Sequence, residues 1–221
     1  MGTKDRRKEL LIMSKNVMIT IGRQFGSGGR EVGSRLAKSL NLPLYDKQLV
    51  EMAAKKLDIS EETAEAVDET TLSKFLASYT FSPATVVPYI GNVDYLEPIN
   101  DKLFYMQSAI IRELAKKGPA VFVGRCADHA LKDHAESLNV FICADKEDRI
   151  KRIAKLYDLT DKKAADKIRK IDRERRYYYE TYTGKDWGDI TSQDIILNVS
   201  RLGMDRVVKD LEMIYRGMTQ D

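Results

Sequence analysis

The chain alternates between short, nearly continuous apolar runs and longer stretches in which apolar residues recur every three or four positions. Short apolar runs are typical of strands buried on both faces, and the longer spacing is typical of amphipathic helices. The predicted strands are residues 17–21, 42–45, 120–123, 138–143 and 195–199. Strands separated by helices predict an α/β fold, with one parallel sheet flanked by helices on both faces.

Capping residues place several of the predicted helices. Asp46 follows the second strand and is predicted to be the N-cap of a helix, and Asp145 is predicted to open another. A helix from about Asp101 is predicted to end at the Gly-Pro pair of residues 118–119. Residues 71–100 contain three of the five prolines and five aromatic residues, which predicts an irregular or mixed insertion before that helix.

The composition fits a folded globular chain, with 43% hydrophobic and 32% charged residues, and excludes disorder as the overall state. No apolar run approaches the roughly 18 residues of a membrane-spanning helix. The apolar stretch at residues 10–13 is too short for a signal peptide. Cys126 and Cys143 form no CxxC pair, and with only two histidines no transition-metal site is expected. We therefore expect a cytoplasmic protein with reduced cysteines.

The distribution of charge is more informative than the formal net charge of +3. Residues 145–176 contain 13 Lys and Arg against 8 Asp and Glu. A cationic segment beside a nearly neutral remainder favours a small polyanionic ligand over a long duplex, which would need a broader basic stripe. Nucleic acid is therefore not an expected partner, and RNA binding through residues 146–176 is the least favoured alternative.

A glycine-rich turn, GRQFGSGGR, occupies residues 22–30 between the first predicted strand and the next helix. This arrangement directs main-chain N–H groups and a helix N-terminus at an anion. Gly26, Gly28 and Gly29 allow the main chain to form a concave nest. Arg30, at the predicted helix start, adds a positive charge within reach of a terminal phosphate. A purely structural glycine turn is the alternative interpretation.

The turn departs from both standard nucleotide-binding patterns. If residues 29–30 stand for the Gly-Lys pair of GxxxxGK[ST], Gln24 replaces the first glycine, and Glu31 or Val32 replaces the hydroxyl that binds Mg²⁺. The dinucleotide pattern GxGxxG also fails, because Glu31 stands where the third glycine is required. The turn by itself therefore indicates phosphate binding and does not specify a reaction.

Several separated motifs together resemble the cytidylate kinase-like family. They are ITIGRQFGSGGREVG at 19–33, LPLYDKQL at 42–49, VFVGRCADHAL at 121–131, IDRER at 171–175, YYETYTGKDW at 178–187 and DIILNVS at 194–200. In order and spacing these motifs cover most of residues 16–215, and members of the family tend to carry Arg in place of the loop Lys. The resemblance implies a three-layer P-loop kinase fold with a lid and a helical insertion that binds a nucleoside monophosphate.

The same resemblance implies how the chain is divided. The P-loop core would comprise residues 14–59 and 108–217, with the lid at about 156–188 and the monophosphate-binding insertion at 60–107. Residues 1–13 lie outside the resemblance, and we expect them to be a disordered or tag-like extension. ATP with Mg²⁺ is the implied co-substrate, and the protein would be a monomer or a homodimer without a membrane partner.

The family motifs also imply roles for side chains of the glycine-rich turn. The residues implied to bind the phosphates of ATP are Gly26, Ser27, Gly28, Gly29 and Arg30. The hydroxyl of Ser27 or Ser34 is a candidate ligand of Mg²⁺. The residues implied to be catalytic are Arg30, Arg125, Asp172 and Arg175.

On the acceptor side, the resemblance implies that Arg125 binds the acceptor phosphate, with Asp46 and Asp128 close to the acceptor. Asp172 would orient Arg175, which would meet the charge of the transition state as the lid closes. Two alternatives remain open. Arg125 could be a surface residue paired with Asp128, and Asp172 could pair with Arg175 along one helix face without a catalytic role.

Phosphoryl transfer between two anions requires both phosphates held in line, the developing charge neutralised and water excluded. Arginine suits this task because its planar fork binds phosphate oxygens bidentately and keeps its charge. The resemblance implies a kinase that transfers the γ-phosphoryl group of ATP to CMP or a similar nucleoside monophosphate. The alternative is a nucleotide-binding sensor or regulatory module without turnover, which the missing Lys and hydroxyl favour.

Overall fold

The computed structural model describes residues 16–60, 99–134 and 136–220. The strands are β1 (Met18–Arg23), β2 (Leu44–Tyr45), β3 (Val121–Val123), β4 (Ser137–Cys143) and β5 (Ile195–Asn198). The helices are α1 (Gly29–Leu40), α2 (Gln48–Leu57), α3 (Ile99–Ala115), α4 (Ala127–Ala130), α5 (Lys146–Tyr157), α6 (Asp161–Thr183), α7 (Val199–Leu202) and α8 (Met204–Thr219). The predicted extension at 1–13 and most of the predicted insertion at 60–107 lie outside the described residues.

The five strands form one parallel sheet in the order β2-β3-β1-β4-β5, which confirms the α/β prediction. β1 is central, and its Ile19 lies opposite Val121 of β3 and Leu138 of β4. After β1 the chain first builds one side of the sheet, with β2 and β3, and then the other side, with β4 and β5. In open parallel sheets, ligands bind at the carboxyl ends of the strands where the strand order reverses in this way.

Alternate residues of β1 face two different layers of helices. Ile19 and Ile21 belong to a core that includes Leu36 of α1 and Leu211 of α8, and all four side chains are buried. Met18 belongs to the core on the opposite face, which α2 and α3 cover. Burying a large apolar side chain contributes roughly 1.5–3 kcal/mol. The two cores therefore make the sheet a firm base for the loops at its carboxyl edge.

α5 and α6 form a helical hairpin next to the carboxyl edge of the sheet. The Thr160 hydroxyl oxygen caps α6 by accepting a hydrogen bond from the N–H three residues later, at 3.4 Å. Ile153, Ala164 and Ile168 hold the two helices together in a small apolar cluster. Phe25 packs against this cluster; it belongs to the glycine-rich turn at residues 22–30, which we call the glycine loop. This contact connects the loop after β1 to the hairpin.

The start of α2 differs from the prediction. Lys47, not Asp46, is the N-cap residue, and no side chain caps the helix. The Asp46 carboxylate is buried and pairs with Nε of Arg30 on α1 at 2.7 Å. Because a buried carboxylate is costly without a charged partner, the guanidinium competes successfully with the helix amides for it.

α3 connects the predicted insertion to the core. It runs without a break through residue 107, where the sequence predicts the domain boundary, and packs on α2 through buried residues that include Leu103 and Ile110. The division of the chain into core, insertion and lid stays a prediction. None of the helices that the structure describes is both long and apolar enough to cross a membrane.

Candidate active site

A cavity of about 540 Å³ lies between α6 and the carboxyl ends of β1 and β3. Its wall is rich in positively charged side chains from three separate parts of the chain. They are Arg23, Arg125, Lys167, Lys170 and Arg175. The acidic groups among the described lining residues are Asp128 and Glu174. This excess of positive charge in a concave site favours an anionic ligand.

Arg23 is the last residue of β1, and its side chain crosses the site between two glycines. A β-carbon added to Gly29 would lie 2.5 Å from the β-carbon of Arg23, and one added to Gly124 would lie 1.9 Å from its Nη1. Both glycines therefore make room for this one side chain. Burial lowers the pKa of Arg23, and the nearby Asp46 carboxylate acts in the opposite direction.

Arg125 reaches the cavity through a left-handed turn that follows β3. The φ angles of Gly124, Arg125 and Cys126 are 75°, 58° and 50°. This conformation costs a residue with a β-carbon roughly 1–2 kcal/mol, and such strain is concentrated at functional sites. Burial, followed by repulsion from Arg23, lowers the pKa of Arg125 to about 10.

Arg175 reaches the same cavity from α6. Its Nη1 donates a hydrogen bond to the main-chain oxygen of Arg23 at 3.1 Å, and its guanidinium lies 5.5 Å from the centre of the Phe25 ring. Burial, followed by the charge of Arg23, lowers the pKa of Arg175 to about 9. Arg23 thus repels both Arg125 and Arg175, and an anionic ligand among them would relieve that repulsion.

Substituting Gly124 by alanine tests whether the Arg23 guanidinium belongs in this cluster. The added methyl group would displace the guanidinium, so we expect the affinity for inorganic pyrophosphate, measured by calorimetry, to fall about 10-fold or more. Gly184→Ala is the matched control, because Gly184 has a similar φ of 67° but an added β-carbon there meets nothing within 4 Å. Both variants should lose about 1–2 kcal/mol of unfolding free energy through backbone strain. Equal pyrophosphate affinities for the two variants would contradict the placement of Arg23.

Asp172 contacts the glycine loop directly. Its Oδ1 accepts a hydrogen bond from the N–H of Phe25 at 2.7 Å, and its Oδ2 pairs with Nη2 of Arg149 on α5. Nε of Arg149 in turn donates to the main-chain oxygen of Phe25 at 2.8 Å. We call Phe25, Arg149 and Asp172 the loop clamp, because they tie the loop to both helices of the hairpin. The direct ion pair of Asp172 is therefore with Arg149, while its charge also acts on Arg175 and opposes the lowering of the pKa of that arginine.

Tyrosines of α6 close the cavity against α3 and α4. The Tyr179 hydroxyl donates a hydrogen bond to Asp128 at 2.5 Å, and the Tyr182 hydroxyl donates one to Asp101 at 2.6 Å. The Tyr182 ring also stacks on Phe104, with ring centres 4.2 Å apart. Burial and these carboxylates raise the pKa of both tyrosines, so they remain donors. Asp128 therefore lies in the cavity wall in contact with the hairpin.

Another part of the wall is apolar. Phe141 of β4 and Trp187 pack edge to face with ring centres 5.4 Å apart, and Gly22 and Gly188 leave room for the Phe141 ring. The buried hydroxyl of Tyr178 has no hydrogen-bond partner among the described residues. An apolar wall with a free hydroxyl, next to a cationic cluster, suits a ligand with a planar ring and an anionic tail.

The glycine loop contributes less to this cavity than the sequence predicts, because residues 26–29 do not line it. Three loop amides, those of Gln24, Phe25 and Ser27, are hydrogen-bonded within the protein. α1 begins at Gly29, and within the described ranges no acceptor meets the amides of residues 28–31, which are the unpaired donors of a first helical turn. The part of the predicted nest that offers amides to an anion is therefore the start of α1.

Arg30 and Asp46 lie outside the cavity wall. The Arg30 side chain is 67% exposed, and it forms an ion pair with the Asp46 carboxylate. The Asp46 carboxylate still acts on the cavity through space, since it opposes the lowering of the pKa of Arg23. Arg30 and Asp46 thus lie outside the wall that Arg125 and Arg175 line, although the charge of Asp46 also acts on both of those arginines.

The two hydroxyls implied as Mg²⁺ ligands have different surroundings. The Ser27 hydroxyl is buried and donates to the main-chain oxygen of Gln24 at 2.8 Å, whereas Ser34 is exposed on α1. No group of three or more His, Cys, Asp or Glu residues that could hold a metal ion occurs in the part of the chain that the structure describes. Mg²⁺ commonly binds to substrate phosphates and several waters with only one or two protein ligands, so such an ion would enter the site with its substrate.

The sequence matches the cytidylate kinase-like family over residues 18–201. The chain belongs to this family. Among solved structures, an uncharacterized protein from Eubacterium ventriosum ATCC 27560 is 27% identical to it, with 91% of this chain and 98% of that chain covered and a TM-score of 0.66. No curated protein matches the chain by sequence.

Two more distant structures share the fold with this cytidylate kinase-like protein. TT1252 from Thermus thermophilus is 15% identical, with 92% of this chain and 98% of that chain covered and a TM-score of 0.51. A gluconokinase from Sinorhizobium meliloti 1021 is 12% identical, with 93% and 94% covered and a TM-score of 0.50. The predicted family and the P-loop kinase fold are thus confirmed. Membership of the family supports a phosphotransferase that acts on a nucleotide or another small molecule.

Sequence reasoning missed two arginines of this kinase-like site. Arg23 was read as part of the glycine turn, although a charged residue at the end of a buried central strand is a signal for a site in an α/β fold. Arg149 is one of 13 basic residues between 145 and 176. No local pattern distinguishes it from its solvent-exposed neighbours, so its role in the loop clamp was not predictable.

Proposed function

We propose that this protein transfers the γ-phosphoryl group of ATP to CMP or a similar nucleoside monophosphate. The observation that carries the proposal is the cluster of Arg23, Arg125 and Arg175 around one cavity at the carboxyl edge of the sheet. Two polyanions can approach each other only where positive charge offsets their repulsion. Family membership supports the reaction type, and the cavity supports an acceptor that carries its own negative charge.

In the proposed reaction, a phosphate oxygen of the acceptor forms a bond to the γ-phosphorus of ATP. The bond from that phosphorus to the oxygen shared with the β-phosphate breaks, and ADP leaves with the electron pair. The acceptor oxygen is already anionic at neutral pH, so the step needs no general base. The side chains of Arg125 and Arg175 would hold the acceptor phosphate and offset the charge that develops on the transferred group.

The apolar part of the wall supports a nucleoside as the remainder of the acceptor. The volume of about 540 Å³ lies within the roughly 300–1,000 Å³ of typical small-molecule sites. Phe141 and Trp187 offer aromatic surface for a base, and the buried Tyr178 hydroxyl offers one hydrogen-bonding group. A smaller hydroxy acid would leave this aromatic surface unused.

A coupled assay of ADP formation tests the proposal with CMP, dCMP, UMP and AMP as acceptors and with gluconate as a non-nucleotide comparison. We expect saturable turnover with at least one pyrimidine monophosphate and none with gluconate. Turnover with gluconate and with no monophosphate would overturn the assignment of the acceptor class.

The second candidate is a nucleotide-binding sensor without turnover. It is favoured by the clamp, because the Asp172 carboxylate occupies the Phe25 amide that could otherwise bind a phosphate. A thermal-shift panel of nucleoside mono-, di- and triphosphates, with and without Mg²⁺, detects binding independently of turnover. Stabilisation by nucleotides in a protein that phosphorylates no acceptor would support the sensor.

A further inference from the structure

The glycine loop lacks the lysine that ordinarily accompanies the phosphates, and the neighbouring Arg30 does not take its place in the structure. The Arg30 side chain is 67% exposed and its Nε lies 2.7 Å from the Asp46 carboxylate. It does not line the cavity that contains the other arginines. A site for a triphosphate therefore needs its loop cation from another position.

Arg23 meets the geometric requirement for that cation. Its side chain packs against Gly29, the first residue of α1, where the helix offers unpaired amides, and its guanidinium lies on Gly124 beside Arg125. The side chain thus extends from the start of α1 to the arginine implied to bind the acceptor. A phosphoryl group passing from ATP to an acceptor has to cross this interval.

Arg23 is also available to a ligand. Among the described residues, no carboxylate lies within ion-pair distance of its guanidinium, since Asp46 is held by Arg30 and Asp172 by Arg149. Arg23 is nevertheless half-buried, and its charge contributes to lowering the pKa of both Arg125 and Arg175. A partly desolvated guanidinium with no carboxylate within ion-pair distance is costly to the ligand-free protein, and an anionic ligand would provide that direct partner.

We propose that Arg23, at the end of β1, supplies the cation that the glycine loop lacks and binds the phosphoryl group in transit between ATP and the acceptor. This inference rests on the proposed phosphotransfer and adds a binding residue to it. It also gives Gly29 and Gly124 one shared purpose, which is to leave space for the Arg23 side chain. Two glycines from separate motifs are thereby explained by a single contact.

The test compares Arg23→Gln with Arg30→Gln. Each variant removes one guanidinium group, and the two arginines stand near opposite ends of the glycine loop. Calorimetry with inorganic tripolyphosphate reports binding without any turnover. We expect Arg23→Gln to weaken tripolyphosphate binding about 10- to 100-fold, as for the loss of one or two hydrogen bonds from a charged donor. We expect Arg30→Gln to weaken it clearly less than Arg23→Gln does, because the Arg30 side chain does not line the cavity. Arg23→Lys should recover part of the affinity, because it restores the charge but not the fork.

Thermal unfolding without ligand separates a binding role from a structural one. If Arg23 binds a ligand, removing its charge relieves repulsion within the cluster, so the melting temperature of Arg23→Gln should not fall below that of the wild type. If Arg23 only stabilises the fold, the melting temperature of Arg23→Gln should fall, and its tripolyphosphate affinity should fall as a consequence of the lost stability. Should Arg23→Gln fail to fold, Gly124→Ala with its Gly184→Ala control carries the affinity comparison, because the added methyl group displaces the Arg23 guanidinium.

The outcomes distinguish this inference from the proposed function. A wild-type protein that binds tripolyphosphate through Arg23 but phosphorylates no acceptor would overturn the kinase and leave the Arg23 site standing. Wild-type turnover combined with full tripolyphosphate affinity in Arg23→Gln would overturn the Arg23 inference alone. Loss of binding in Arg30→Gln, with binding retained in Arg23→Gln, would return the role to Arg30.

Discussion

Replacing Arg175 by alanine should lower kcat/KM for the proposed phosphotransfer by about three orders of magnitude. Arg175 reaches the cavity from α6, donates a hydrogen bond to the Arg23 main-chain oxygen at 3.1 Å and lies half-buried beside Phe25. An arginine that offsets the charge of a transferring phosphoryl group contributes about 10³–10⁵ to kcat. Steady-state kinetics with saturating ATP, checked by single-turnover measurements, would separate loss of chemistry from loss of binding.

Arg173→Ala is the matched control for this prediction. Arg173 lies on the same helix two positions earlier, but its side chain is exposed and does not line the cavity. The two substitutions change net charge and helix propensity equally, so their difference reports the cavity position alone. Arg173→Ala should stay within about 3-fold of the wild type. Similar losses in both variants would show that the helix contributes general positive charge and that Arg175 has no particular role.

Replacing Arg149 by leucine should lower the free energy of unfolding by about 3–5 kcal/mol. The side chains of Arg149 and Asp172 are 8% and 17% exposed, so the variant leaves a largely buried carboxylate without its cation. The main-chain oxygen of Phe25 loses its donor as well. Urea denaturation followed by circular dichroism measures the change, with unchanged m-values as the check for two-state unfolding.

Arg152, on the same helix as Arg149, forms an exposed ion pair that serves as the contrast for the buried pair of Arg149. Arg152 pairs with Glu31, and their side chains are 41% and 37% exposed. Arg152→Leu should therefore cost no more than about 1 kcal/mol. The double variant Arg149→Leu, Asp172→Leu should recover most of the lost stability, because it removes both buried charges together. A double variant as unstable as Arg149→Leu would indicate that the lost packing, not the unpaired carboxylate, is responsible.

The loop clamp connects the stability of the hairpin to the state of the glycine loop. Asp172 holds the N–H of Phe25 and Arg149 holds its carbonyl oxygen, so neither helix can move away without releasing the loop. A lid that opens for product release would have to break this contact or carry Phe25 with it. The family motif containing Asp172 therefore has a structural partner in α5 that lies outside the motif.

Periodicity alone predicted the regular part of the fold because its cause is local. Apolar runs such as residues 138–143 are buried whichever neighbours they receive, and helices ending at a glycine or beginning at a threonine follow backbone preferences. The predicted start of α2 was wrong because a tertiary contact, not a local preference, determines it. Asp46 has a good local reason to cap a helix, but its carboxylate is buried and pairs instead with the exposed Arg30 side chain of α1.

The predicted site residues also divide into those that local sequence places and those that tertiary contacts place. Arg125 and Arg175 were predicted from motifs, and both line the cavity, since each follows directly from its place at a strand end or on one face of a helix. Arg30 was predicted to accompany the phosphates and is instead exposed, because a side chain at a helix start can turn to either side. Its direction depends on Asp46, which comes from another strand.

The sequence by itself determined that this is a parallel α/β protein of the cytidylate kinase-like family, with a glycine loop after its first strand and arginines in later motifs. The tertiary structure decided which arginines share one cavity. Arg23 enters it because Gly124, about 100 residues further along the chain, leaves space for its guanidinium. The Arg149 side chain is buried because it pairs with Asp172 and donates a hydrogen bond to the main-chain oxygen of Phe25. Such contacts depend on groups that only folding brings together, so no local pattern encodes them.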